Sequence, residues 1–210
     1  MASACAETRL ETLRGKALVL FAERGFAQVG MRELAQHLGM AAGSLYHHFE
    51  SKEQLLFELI EELYEELLSV PRAAARGSAR QRLEQLLHSH IALRERRPAQ
   101  FQLAEQELRC LAPAHRLHIQ ALRSAYEERL LQLLQEAGAG GAPARLRFGV
   151  QALVGWLNNL PPACPELTAQ QRQEAIRALL LAALDGLLEA APSEARTRAL
   201  PLAWAALGTG

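Results

Sequence analysis

The feature that most constrains this chain is the stretch Met31–Lys52, MRELAQHLGMAAGSLYHHFESK. Leu34, Ala35 and Leu38 fall on the apolar stripe of one short helix. Gly39 ends that helix, because glycine takes positive φ at a helix C-terminus without steric cost. A second short helix starts near Ala41 and buries Leu45 and Phe49, four residues apart on one face. Its other face shows Gly43, Ser44, Tyr46, His47 and His48. Two short helices across a glycine turn predict a helix-turn-helix, a motif whose second helix is shaped to lie in a DNA major groove.

The rest of the chain reads as helix. Residues 1–8 are expected to be a frayed arm, and Leu10, Leu13, Ala17, Leu20 and Phe21 then mark an amphipathic helix from Thr8 to Arg24. Behind Ser51, a good N-cap, KEQLLFELIEELYEELL predicts a helix over Lys52–Leu68. Further helices are expected over Arg80–Arg96, Pro98–Leu111, Pro113–Ala137, Pro143–Leu160 and Thr168–Ala190, with prolines at the joints. No strand-like alternation, internal repeat or low-complexity run is visible. The expected class is therefore all-α: a three-helix DNA-binding domain over residues 1–53, followed by a helical effector-binding and dimerisation domain over 54–210.

Gly39-Met40-Ala41-Ala42-Gly43-Ser44-Leu45-Tyr46-His47-His48-Phe49, followed by Ser51-Lys52-Glu53 and Leu55-Leu56, resembles the signature of the tetracycline-repressor (TetR) family. The resemblance runs through Leu56; beyond it the chain is similar to the family in length and helical pattern. Ala41 stands where a capping Ser is frequent in that family, and Ala42 where a Lys or other polar contact residue is frequent.

Several residues follow as candidates for DNA contact. Met31 and Arg32 open the second helix, where unpaired N–H groups suit phosphate oxygens. Gly43 lets the backbone approach DNA, Ser44 and Tyr46 offer hydroxyls, and His47 offers an imidazole. The resemblance adds Ala42 by position, Lys52 as a phosphate contact, and Arg9 because the start of the first helix faces DNA in such proteins.

Charge does not reinforce this reading. The chain has 23 Lys and Arg against 23 Asp and Glu, and residues 1–49 hold five basic against four acidic side chains. A nucleic-acid binder usually carries a basic footprint. A helical interaction protein that has lost DNA binding is therefore one alternative, kept open by Ala41, Ala42 and the neutral head.

A metal-responsive regulator is another alternative. His88 and His90 diverge on a helix, but His115 and His118 share a face near Cys110. A structural zinc site normally takes four ligands, and no fourth stands out. No phosphate loop, nucleophile motif or paired-carboxylate arrangement is visible, so neither enzyme chemistry nor a cofactor is expected. Cys5, Cys110 and Cys164 are few, odd in number and far apart, which with the absence of a secretory or membrane-spanning pattern predicts the cytoplasm.

Leu146, Val150, Leu153, Leu157 and Leu160 form one apolar stripe, and Ile176, Leu180, Ala183 and Leu187 another, widened by Leu179, Leu184 and Leu188. These two helices are expected to pair with those of a second copy in an obligate two-fold homodimer, which suits a palindromic operator. The resemblance further implies a small-molecule effector enclosed in the body. Candidate lining residues are the large or polar groups on Leu/Ala-rich helices: Tyr64, Phe101, Gln102, Glu105, His118, Tyr126, Trp156 and Asn159. Aliphatic walls suit a hydrophobic ligand. Related family members with a similar second helix imply a fatty acyl or acyl-CoA type, with ligand binding releasing a repressor from its operator.

Overall fold

The computed structural model describes residues 2–69, 77–161 and 165–189, with side chains from Leu10 onward except that of Ala42. These residues form nine α-helices: α1 (Ala2–Arg24), α2 (Met31–His37), α3 (Ala42–Leu45), α4 (Lys52–Ser69), α5 (Ala79–Arg96), α6 (Pro98–Gln106), α7 (Pro113–Glu136), α8 (Pro143–Asn158) and α9 (Ala169–Leu188). Single 3-10 turns lie at Phe26–Gln28 and Leu108–Cys110, and no strand occurs among the described residues. The all-α class expected from periodicity is the class observed.

Two boundaries differ from expectation by more than two residues. The first helix begins at Ala2, not Thr8, because Ala2, Ala4, Ala6 and Glu7 favour helix. The helix opened by Pro98 stops at Gln106, five residues early. There the Glu107 carboxylate turns away to accept Phe26 N–H at 3.1 Å and the Cys110 thiol at 3.4 Å.

α4 is the spine. Leu55, Leu56, Phe57, Leu59, Ile60, Leu63, Tyr64 and Leu67 are all buried, so its apolar surface spans more than one face and is covered by α1, α6 and α7. Each such leucine contributes about 2 kcal/mol by leaving water. The burial joins head and body into one continuous core.

Polar bonds fasten the same seam. Glu53, in the first turn of α4, accepts the N–H of Ala112 at 2.7 Å and faces His115 Nδ1 at 3.0 Å. His115 stacks on Phe57 at 4.0 Å. Gln102 of α6 donates to the Ala22 carbonyl of α1 at 2.9 Å. The N-terminal helices are thus anchored to α6 and α7 of the body.

The helix ends follow their sequences. Ser78 and Thr168 each close a capping box with the glutamine three residues on. Gly149 allows close packing of α8 on α9, since a Cβ there would stand 2.3 Å from a methyl of Leu187.

The α8 and α9 stripes need a correction. Leu146, Val150, Leu153, Leu157 and Leu160 are buried inside this protomer, as are Ile176, Leu180 and Leu184. The α8 residues fill the body core against α5, α6 and α7 and the α9 residues pack on α8, while Ala183, Leu187 and Leu188 stay half-buried. The apolar groups left outside are Phe148, 72% exposed, and Leu179, 59% exposed. Small residues Ala152, Ala175, Ala178, Ala182 and Gly186 are also exposed on these helices.

Candidate nucleic-acid interface and effector site

The turn between α2 and α3 is set by Gly39 at φ +68°. Its N–H bonds to the Gln36 carbonyl at 3.0 Å and Met40 N–H to Ala35 at 2.9 Å, a Schellman closure that a β-carbon would strain. Leu34, Ala35, Leu38, Leu45 and Phe49 are buried against Leu13, Ala17, Leu20, Phe21 and Val29. That burial holds α3 rigidly with its other side outward. Gly43, Ser44, Tyr46, His47 and His48 are all exposed, as is Arg32 at the start of α2, while Met31 is half-buried. Tyr46 is 57% exposed, an unusual placement for a large aromatic ring. α3 spans only Ala42–Leu45 and continues as turns through His48. Its N-cap Ala41 makes no side-chain hydrogen bond, so the helix lacks about 1 kcal/mol that a serine would supply.

Lys52 departs from expectation. Its ammonium donates to the carbonyls of Phe26 at 2.8 Å and Val29 at 2.7 Å, and sits 4.1 Å over the Phe26 ring. It ties down the α1–α2 connection with two of its three donors, a structural role the sequence reading does not anticipate. Arg24 is likewise paired with Glu33 of α2. Ser51 does cap α4, accepting Gln54 N–H at 2.9 Å. Arg9 lies on α1 with its side chain outside the described residues, and the same holds for the side chain of Ala42. The side chain of Cys5 and the whole of Cys164 also lie outside them.

The eight proposed effector residues separate into two sets. Tyr64, Phe101 and Tyr126 are buried together with the half-buried Glu105 in the middle of the body. Glu105 accepts Asn158 Nδ2 at 2.7 Å and faces Arg123 at 3.6 Å. Burial pushes the Tyr64 phenol up to about 12 and Tyr126 higher still, so both remain protonated.

Gln102, His118 and Asn159 instead lie at the surface, and Trp156 is half-buried. His118 is held by Glu61 at 2.8 Å, and Asn159 donates to the Gly155 carbonyl at 2.9 Å. Gln102, Glu105 and Asn159 line a groove of about 450 Å³ between α1, α6 and the end of α8.

Three buried polar residues were not among the expected site residues: His90, weighed only as a metal ligand, Gln100 and Asn158. His90 continues the apolar stripe Leu83, Leu86, Leu87 of α5, and Asn158 follows Val150, Val154 and Leu157 on α8. A polar residue in register with a buried stripe was the available signal. Among the described residues, no three His, Cys, Asp or Glu side chains are grouped as metal ligands. His115 and His118 face separate carboxylates, Glu53 and Glu61.

An exposed second helix on a buried helix-turn-helix, joined by a long spine to an all-helical body, defines a helix-turn-helix protein with a helical C-terminal body. The chain belongs to the tetR family of bacterial regulatory proteins: residues 14–59 match the model of the family's N-terminal domain, and residues 76–161 match a tetracyclin-repressor-like C-terminal domain. It is 33% identical over 98 residues to the transcriptional repressor KstR2 of Mycobacterium tuberculosis, covering 46% of this chain and 49% of that one. It is 42% identical over 53 residues to KstR2 of Mycolicibacterium smegmatis, covering 25% and 26%. The matched stretches thus span half or less of these curated relatives.

Among solved structures, it is similar to the TetR-family regulator PfmR of Thermus thermophilus, with a TM-score of 0.70 and 26% identity over 86% of this chain and 99% of that one. It also shares the fold of AibR, solved with isovaleryl coenzyme A and operator DNA, with a TM-score of 0.66 and 24% identity over 81% and 97%.

Proposed function

We propose that this protein is a ligand-responsive transcriptional repressor of the cytoplasm that binds a palindromic operator as a homodimer. Residues 1–53 read DNA, and residues 54–210 hold the effector and pair with a second copy. The observation that carries the reading is the exposed row Gly43, Ser44, Tyr46 and His47 on a helix whose opposite side is fully buried. Arg9, Met31, Arg32 and Ala42 complete the contact set, by backbone amides where the side chain is apolar.

The outward apolar residues of α8 and α9, Phe148 and Leu179, support pairing, because a soluble monomer seldom leaves such rings and chains in water. Small alanines and Gly186 beside them let two copies approach closely.

The effector is small and hydrophobic or acyl in type. The apolar body around Tyr64, Phe101 and Tyr126 supports this, as does the isovaleryl coenzyme A bound to AibR. α4 joins the head to α6 and α7, so a ligand that changes their packing changes the spacing of the two heads. Release requires only that the ligand prefer the state with the wrong spacing.

Footprinting of promoter fragments with the purified protein tests the proposal. Protection of a two-fold symmetric site with half-sites about one helical turn apart is expected. Failure to protect any fragment leaves the alternative of a helical interaction protein, which the uncapped Ala41 and the neutral head favour.

A further inference from the structure

The groove between α1, α6 and the end of α8 has a volume of about 450 Å³, within the range that holds a small molecule. Its apolar wall is Val19 and Ala22 of α1, Ala99 of α6 and Leu160 just past α8. Val19 is 45% exposed and lies outside the hydrophobic core. The groove is distinct from the buried centre of the body, since Tyr64, Phe101 and Tyr126 do not line it.

The hydrogen bonds around the groove decide what chemistry it takes. Arg94 lines it, but donates through Nε and Nη2 to the carbonyls of Asn158 and Leu160, both at 2.9 Å. Its charge is turned to the C-terminal carbonyls of α8, where a helix end attracts a cation. Gln102 gives its side-chain amide to the Ala22 carbonyl, and Asn159 gives its own to that of Gly155, each at 2.9 Å. The donors on the wall are largely spent.

The acceptors are not. Glu23 lines the groove, is exposed, and makes no hydrogen bond or ion pair through its carboxylate among the described residues. Glu105 uses Oε1 for Asn158 Nδ2 at 2.7 Å and for Arg123 at 3.6 Å, which leaves Oε2 open. Two carboxylates against one guanidinium give the groove a negative field. A ligand anion would be repelled there, and a neutral hydroxyl would answer neither charge. An ammonium brings donors and opposite charge together.

We propose that this groove is a binding site for a small organic cation, with the ammonium toward Glu23 and Glu105 and an aryl or alkyl body along Val19, Ala22, Ala99 and Leu160. The site goes beyond the effector reading and does not depend on it, since an acyl carboxylate suits the opposite field. Val19, Ala22 and Glu23 belong to α1, and Ala99 and Glu105 to α6. The occupied groove therefore ties the N-terminal helices to the body.

The test titrates the full chain with phenethylammonium, 2-phenylethanol and phenylacetate, which share a body and differ in charge. Calorimetry gives the affinities, and backbone amide NMR spectra give the place. Phenethylammonium is expected to bind about tenfold more tightly than 2-phenylethanol, as two partly exposed ion pairs allow. Phenylacetate should bind more weakly than either. Amide shifts should gather at residues 19–23 and 99–105. Glu23→Gln should weaken the cation about threefold and leave the alcohol unchanged. Val19→Lys sets an ammonium at the groove, so it should weaken the cation and strengthen phenylacetate. Both positions are exposed, so both variants should keep the wild-type melting temperature.

Equal affinity for the cation and the alcohol, tighter binding of phenylacetate, or no cation binding below about 10 mM overturns the proposal. So does a cation preference that survives both variants, or amide shifts that gather around Tyr64 and Tyr126 instead. A lysine of a partner protein carries the same ammonium, so Nα-acetyl-lysine methylamide is the fourth probe. Its peptide groups gain nothing from an apolar wall, and it should bind more weakly than phenethylammonium. Tighter binding of the lysine probe would overturn the assignment to a small molecule.

Discussion

The ammonium of Lys52 lies 4.1 Å above the ring of Phe26 and donates to that residue's carbonyl at 2.8 Å. Burial lowers its pKa, against the pull of Cys110 and Glu107, yet it holds the turn that sets α2 against α1. Lys52→Met keeps the stem and removes the donors. It should lower stability by about 1–3 kcal/mol, because two carbonyls lose a charged partner. The dependence of operator affinity on salt should stay the same, since no phosphate contact is lost. Thermal melts combined with affinity measured at several salt concentrations check both points, and a slope smaller by about one would return Lys52 to the DNA surface.

Tyr46 gives the opposite pattern. Its side chain is more than half exposed and lies outside the core that holds α3. Tyr46→Phe should leave the melting temperature unchanged and weaken operator binding about fivefold, the loss expected for one hydroxyl hydrogen bond worth about 1 kcal/mol. Electrophoretic shift or anisotropy measurements on the footprinted fragment decide it. Equal affinity would place the ring outside the interface.

The contrast between these two residues shows what the amino-acid order makes legible. The positions of Leu34, Leu38, Leu45 and Phe49 dictate which side of each short helix is buried, so the exposure of Tyr46 and His47 follows from spacing alone. Gly39 is legible for the same reason, as a backbone requirement local to its turn. Lys52 is different, because its partners are carbonyls 23 and 26 residues earlier in the chain, and such closure has no periodic signature. In the body, Tyr64, Phe101 and Tyr126 stand out as aromatics on aliphatic helices, but His90 and Asn158 become significant only once α5, α7 and α8 are seen packed together. The same limit explains the α8 stripe. Periodicity reports that a face is buried, and it does not say whether the cover is the same chain or another.

His90 makes stability depend on pH. Its folded pKa is lowered to about 4 from the 6.5 of an unperturbed imidazole, chiefly by burial. Between these values the unfolded chain takes up a proton that the folded one refuses, so stability is lost as pH falls from 6.5 toward 4. The full difference corresponds to about 3 kcal/mol. The informative quantity is the comparison with His90→Phe, whose stability should fall less steeply over that window. Denaturant unfolding at closely spaced pH values gives the two slopes, and parallel curves would mean that His90 is protonated inside the fold.

The outward face of α8 and α9 carries the last prediction. Phe148 and Leu179 are exposed by 72% and 59%, while the stripes beside them are closed within the protomer. Removing a ring of this size from water is worth about 2 kcal/mol per copy, and a two-fold interface uses each group twice. Phe148→Glu combined with Leu179→Glu places carboxylates from both copies close together at the axis. It should convert a micromolar dimer to monomer in sedimentation. Helical content should stay the same, because neither side chain supports the protomer core. Operator affinity should fall together with the dimer, since one head alone reads half a site. A double variant that remains dimeric would move the interface elsewhere on the body, and a wild-type protein that sediments as a monomer at that concentration would remove the two-fold reading altogether.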